Sequence, residues 1–208
     1  MNQKIERLST ASKYQDSNAS GLIIVGSYAP VHEGHLDAMR SAEKRLMIQD
    51  DNIAGNIFAP NSDSHVLKKL HDTQGVWNFS RRVDEFITRE SGTSSKSYVD
   101  DITGVTPPEL SISEEVIDTV SYRLGIKACN LVLVVGTDQI NSMQSHLEHN
   151  RAICVLRPGS EGVLRNVIAE DWFKEVTSEN RLLLTSRENI KIDISSTQIR
   201  KQLEVSEI

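Results

Sequence analysis

The sequence predicts an α/β fold: a single Rossmann-like domain with a mainly parallel sheet flanked by helices on both faces. Three observations predict it. Apolar runs closed by glycine or proline recur along the chain, the strongest being Leu131-Val132-Leu133-Val134-Val135 before Gly136. That run is continuous rather than alternating, which implies burial on both faces, as in a parallel sheet. Segments of helical spacing separate the runs, and such alternation is the pattern of crossover-connected strands.

The elements follow in order. Residues 1–19 are polar and lack the apolar centre of a signal peptide, so they are expected to form a flexible lead-in to a domain spanning 20–208. Residues 21–26 read as a first buried strand, Gly-Leu-Ile-Ile-Val-Gly. Over 34–49, Leu36, Met39, Ala42, Leu46 and Met47 fall on one side of a helix. Residues 56–59 form a second strand, ended by Pro60. No clear periodicity marks 61–78, which carries Asp63, His65, Lys68, Lys69, His71 and Gly75, so a long functional loop or a broken helix is expected. A helix over 80–90 turns Val83, Phe86 and Ile87 inward, and a third strand is expected within 94–99. Pro107-Pro108 interrupts the chain before a helix over 111–124, closed by Gly125. After the strand at 131–135, another over 152–156 ends at Arg157-Pro158-Gly159. Residues 182–184 give a last strand and 196–203 a last helix.

Composition narrows the partners. The 208 residues carry a formal charge of −6, and no basic cluster suggests a nucleic-acid partner. A small phosphorylated ligand remains compatible, since it needs a few local donors rather than a positive whole. No apolar stretch reaches the roughly 18 residues of a membrane span. The two cysteines, Cys129 and Cys154, lie beside or within apolar runs and read as reduced core thiols of a cytoplasmic protein. Self-association into a homo-oligomer is left open.

Two stretches carry chemistry. The first is Gly26-Ser27-Tyr28-Ala29-Pro30-Val31-His32-Glu33-Gly34-His35. A strand ends at glycine, the chain turns, and a helix starts near Gly34 with two histidines three apart on one side. Gly34 removes a side chain where a phosphate would approach the backbone. Helix N-termini attract anions through unsatisfied N–H groups and the dipole, and imidazoles there can donate to phosphate oxygens. A surface histidine pair is the plainer alternative. The second stretch is Asp193-Ile194-Ser195-Ser196-Thr197-Gln198-Ile199-Arg200. Ser195 with Gln198 matches a capping box, and the extra hydroxyls with Arg200 on the first turn form a candidate polyphosphate clamp. In a parallel sheet, ligands bind beyond the carboxyl ends of the strands, where both stretches would lie.

Together these stretches resemble the signature of the nucleotidylyltransferase superfamily. GSYAPVHEGHL is most similar to the first motif of nicotinamide and nicotinate mononucleotide adenylyltransferases, and IDISSTQIRKQL to their closing motif. APNSDSHVLKKL, VVGTDQ and LRPG resemble the segments between, so the likeness runs from Gly21 to Leu203. The resemblance implies transfer of AMP from ATP to a pyridine mononucleotide, with release of pyrophosphate. His32, His35 and Arg200 would be catalytic, with His35 nearest the α-phosphate. Gly26, Ser27, Tyr28, Gly34, Gly136, Asp138, Ser195, Ser196 and Thr197 would contact the nucleotide, Asp138 through the ribose. Lys68 or Lys69 would neutralise phosphate, while Trp77 and Arg157 would line the acceptor side; Trp77 could equally be a core or lid aromatic. Asp63 and His65 are expected to be solvated loop residues. ATP would arrive with Mg²⁺, and no carboxylate cluster for a dedicated protein-bound metal is visible. Two other readings keep the same residues. One changes the acceptor to a group such as phosphopantetheine, or the donor to CTP; the other is a non-catalytic nucleotide-binding regulatory module.

Overall fold

The computed structural model describes residues 3–49, 52–70, 77–105, 112–156 and 159–185. Seven strands, β1 (Ile5–Arg7), β2 (Ser20–Gly26), β3 (Ile53–Pro60), β4 (Ser97–Val99), β5 (Leu131–Gly136), β6 (Arg151–Val155) and β7 (Leu182–Leu184), form one sheet. Their order is β1-β4-β3-β2-β5-β6-β7, and every pairing between them is parallel. Around the sheet lie α1 (Glu33–Leu46), α2 (Asp63–Leu70), α3 (Phe79–Ile87), α4 (Ile112–Leu124), α5 (Gln144–Leu147), α6 (Glu161–Ile168) and α7 (Asp171–Ser178). This is the expected α/β class with helices on both faces.

The continuous apolar runs explain the layering. Successive residues of a strand face opposite sides, so Leu22 and Ile23 enter different cores. Leu22, Phe58, Val132 and Val134 pack with Leu36, Met39, Ala42 and Leu46 of α1 and with Val83 and Phe86 of α3. Ile23, Ile57, Leu133 and Val135 pack on the other face with Val116, Val120 and Leu124 of α4, and with Leu164, Val167, Phe173 and Val176 of α6 and α7.

Three features depart from the sequence expectation, and a fourth decides between two forms it offered. Within the polar lead-in, residues Ile5–Arg7 pair with Ser97–Val99 as an edge strand. Ile5 and Leu8 are buried there, and Asp101 accepts from the Ser9 N–H at 2.9 Å and its hydroxyl at 2.6 Å. Of the two forms expected for 61–78, a loop or a broken helix, residues Asp63–Leu70 take the helical one. Asp63 in its first turn and Lys68 and Lys69 in its last complement the dipole. Its apolar signal was weak because, among its described side chains, only Val66 is buried. β4 begins at Ser97 because the amides of Ser94 and Ser95 turn away from the sheet. They donate to Glu43 at 2.7 and 2.8 Å, and this buried carboxylate also accepts from Asn56 Nδ2 at 2.8 Å. Finally, α6 and α7 occupy a stretch with no predicted element; each buries only two apolar side chains.

Among the described residues, no helix is long and apolar enough to cross a membrane. The last helix expected over 196–203 lies outside the described residues.

Candidate active site

β2 stands in the middle of the sheet. The chain leaves it for β3 and β4 on one side, then returns to β5 on the other. Connections therefore diverge at the β2–β5 boundary, which opens a crevice at the carboxyl ends of these strands. The glycine turn after β2 and the Gly136 turn after β5 meet there.

β2 closes on Gly26 for a steric reason. A Cβ at this position would lie 3.1 Å from Cζ of Tyr28, whose ring folds back over the strand end. Tyr28 has φ 50°, the left-handed region that aromatic residues rarely occupy. In that conformation its ring is 1% exposed, and its hydroxyl donates to the Ile24 carbonyl at 2.7 Å. The ring meets His35 and Phe86 edge-on, at centroid distances of 4.7 and 4.8 Å. Burial raises the phenol well above its ordinary value, so it stays a donor. Tyr28 was expected to contact the nucleotide. Its side chain instead supports His35 from the core, because the left-handed turn directs it inward.

His32 is the N-cap of α1, with an extended φ of −144°, and His35 lies in the first turn. The His32 N–H donates to His35 Nδ1 at 3.2 Å, and the two rings lie 3.7 Å apart, tilted by 30°. Because Nδ1 accepts a backbone proton, a neutral His35 carries its own proton on Nε2. His35 is thereby set as a donor at the helix N-terminus, with Gly34 between the two histidines.

A cleft of about 430 Å³ opens at the same crevice. One wall is Gly26, Ser27 and Asn61, from the ends of β2 and β3, with His65 and Lys69 of α2. The other is Gln139, Ser142, Met143, Ser145 and His146, over a floor of Val25 and the end of β5. No carboxylate lines it among the described residues. The Ser27 hydroxyl and His146 Nε2 are buried without a hydrogen-bond partner among the described residues. A cleft with a lysine, two imidazoles and unmatched polar atoms suits an anionic or strongly polar group. Burial, then Lys69 and Lys68, then Arg82, lower the His65 pKa from its usual value. Burial likewise lowers that of His146, against the raising effects of the Arg151 backbone and Glu114.

The structure thus gathers Gly26, Ser27 and Lys69 into the cleft, while His32, Gly34 and His35 form the adjoining helix entrance. Other predicted residues stand elsewhere. Lys68 is exposed on α2 and does not line the cleft. Trp77 is half-buried outside it, with the Arg81 guanidinium 4.5 Å from its ring centre. Gly136 ends β5, and its N–H donates to Gln139 Oε1 at 3.3 Å. Asp138 is exposed in the next turn, and Gln139 occupies the cleft wall instead. Arg157, Ser195, Ser196, Thr197 and Arg200 lie outside the described residues.

Two residues expected to be solvated are accessible, and each also makes a contact at the site. His65 lines the cleft, and Asp63 pairs at 2.7 Å with Arg82, which is wholly buried. Their contacts were not visible while the segment could be either a loop or a broken helix; as a helix it turns His65 and Lys69, four apart, to the same side. Arg82 had one available signal, its four-residue spacing from inward-facing Phe86. His146 and the serines of its wall had none.

A glycine turn and a histidine pair at a helix entrance, set at the switch point of a parallel sheet, define a nucleotide-binding α/β domain. Residues 23–202 match the cytidylyltransferase-like family over most of the chain. The chain belongs to this family of nucleotidyltransferases. No individually curated protein matches it.

Proposed function

We propose that the chain transfers AMP from ATP to nicotinamide or nicotinate mononucleotide and releases pyrophosphate. The observation that carries this reading is the His32–His35 pair at the entrance of α1, joined through the Gly26–Ser27 turn to the anion-suited cleft. One place receives the nucleotide phosphates and the neighbouring place the acceptor phosphate. The motif resemblance supports the pyridine acceptor, and the family supports nucleotidyl transfer.

In this mechanism an acceptor phosphate oxygen attacks the α-phosphorus of ATP in line. The new P–O bond forms as the bond to the bridging oxygen of the β-phosphate breaks, and pyrophosphate carries away that electron pair. The protein supplies positioning and charge stabilisation, not a nucleophile. His35 Nε2–H and the α1 amides donate to the α-phosphate oxygens, with His32 beside them. Lys69 and the Ser27 hydroxyl hold the acceptor phosphate, while Ser195, Ser196, Thr197 and Arg200 would grip the departing phosphates. Mg²⁺ would come with the triphosphate, whose charge it offsets. Among the described residues no group of three or more His, Cys, Asp or Glu is arranged to hold a metal ion, so a site built from these residues alone is not offered.

The test is pyrophosphate release with ATP, Mg²⁺ and each pyridine mononucleotide, run beside phosphopantetheine and beside CTP as donor. Release with a pyridine acceptor is expected, reduced by about 10²–10³ in His35→Ala as for the loss of a transition-state donor. Turnover confined to CTP or to another acceptor would replace this reading. ATP binding without turnover of any acceptor would favour a regulatory module.

A further inference from the structure

Arg82 is 0% exposed, yet it carries a charge that is costly to bury. Its guanidinium is engaged on every nitrogen. Nη1 donates to the carbonyls of Asn61 at 2.7 Å and Ser27 at 3.0 Å. Nη2 donates to Asp63 Oδ1 at 2.7 Å, and Nε to the Trp77 carbonyl at 2.9 Å. The partners follow a pattern. Ser27 and Asn61 end β2 and β3, where the ladder closes with the Asn61 N–H on the Gly26 carbonyl at 2.9 Å. Asp63 and Trp77 are the two ends of the segment that contains α2. One planar fork therefore ties the strand ends forming one cleft wall to both ends of the segment that brings His65 and Lys69 into the same cleft. A lysine ammonium, a point donor on a flexible stem, cannot span four acceptors in this arrangement.

We infer that Arg82 is a positioning residue: it touches no ligand, and it sets how α2 presents Lys69 and His65 to the anion in the cleft. The inference rests on the reading that this cleft takes the acceptor phosphate. Asp63 is its accessible lever, because the Asp63 side chain is 47% exposed and its removal leaves the core filled. A merely structural arginine would weaken all ligands alike and track thermal stability.

The experiment titrates inorganic phosphate against the His65 ring signals by NMR in the full chain. It compares wild type, Asp63→Ala, Arg82→Lys, Lys69→Ala and the Asp63→Ala/Lys69→Ala double variant, with Tm for each. In wild type, phosphate should shift the His65 signals. Asp63→Ala should weaken that binding at least fivefold at a temperature well below every Tm, and Arg82→Lys at least as much; Tm should fall in both, because the buried guanidinium loses its counter-charge or its fork. Lys69→Ala should then have less effect in the Asp63→Ala background, because contacts held by one seat are not additive. Unchanged phosphate affinity in Asp63→Ala, additive losses in the double variant, or no response of His65 to phosphate would each overturn the inference. Where turnover is seen, the acceptor KM should rise about tenfold in Asp63→Ala while the ATP KM stays within about threefold. Absence of turnover with every pyridine mononucleotide defeats the proposed function, but leaves the phosphate titration to decide the role of Arg82.

Discussion

Tyr28 offers the sharpest separation of support from contact, because its hydroxyl and its ring act on different partners. The hydroxyl is spent on the Ile24 carbonyl at 2.7 Å, while the ring edge meets His35 at 4.7 Å. Tyr28→Phe removes one buried hydrogen bond and keeps the ring. A typical net loss is about 0.5–1.5 kcal/mol, or up to about 3 if the carbonyl is left without any partner. For a domain of this size, 1 kcal/mol shifts Tm by about 2–4 °C, so a fall of a few degrees is expected. Pyrophosphate release should stay within about threefold of wild type at a temperature where both are folded. Tyr28→Leu removes the aromatic edge from His35 and Phe86; it should lower the rate at least tenfold, with the larger stability loss typical of a changed core shape, about 1–3 kcal/mol. Thermal melts and steady-state pyrophosphate assays on the two variants give both numbers. If Tyr28→Phe lost activity as severely as Tyr28→Leu, the hydroxyl would be acting on the reactants, and the inward-facing role would be wrong.

Three more predictions follow from the same packing. The Tyr28 phenol is raised above its unfolded value near 10 by burial, so its contribution to stability is intact below about pH 10 and is lost as pH climbs toward the folded pKa. Denaturation midpoints should therefore fall above pH 10, more steeply in wild type than in Tyr28→Phe; equal slopes would remove Tyr28 as the cause. His65 titrates below its ordinary value through burial, Lys69 and Lys68, so it favours neutrality in the folded chain and costs stability as pH falls below about 6.5. NMR titration should show the His65 pKa rising in Lys69→Gln, and an unmoved value would place the lysine charge elsewhere. Glu43→Ala strands the Ser94 and Ser95 amides and Asn56, which should cost about 3 kcal/mol or more, or roughly 6–12 °C in Tm. A loss under about 2 °C would mean those donors find other partners.

How much of this was legible in the sequence depended on how local each signal is. The central strands could be read because burial on both faces writes an unbroken apolar run, as at Leu131–Gly136. α1 could be read because Leu36, Met39, Ala42 and Leu46 repeat over several turns. α6 and α7 could not, since two buried side chains in eight residues give no period to detect. β1 escaped for a related reason: Ile5 is buried, but Glu6 is exposed and Arg7 half-buried at the edge of the sheet. At the site, the Gly26-to-His35 turn was visible because its chemistry lies within ten consecutive residues. The rest of the cleft was not, because His65 on the same wall and His146 on the opposite one reach it only through the order of the strands. The inward turn of Tyr28 was hidden too, being fixed by a left-handed backbone angle that the residue type does not announce.

The position of β1 has a consequence for biogenesis. Its partner is β4, and the Ser9–Asp101 bond that secures the same edge spans 92 positions. During translation β1 therefore emerges long before anything it can pair with exists. Its apolar anchors, Ile5 and Leu8, must wait in solvent until β4 has been made and docked on β3. The earliest part of the sheet to be synthesised is thus barred from an early place in its assembly, and hydrogen exchange should find it among the first backbone segments to open.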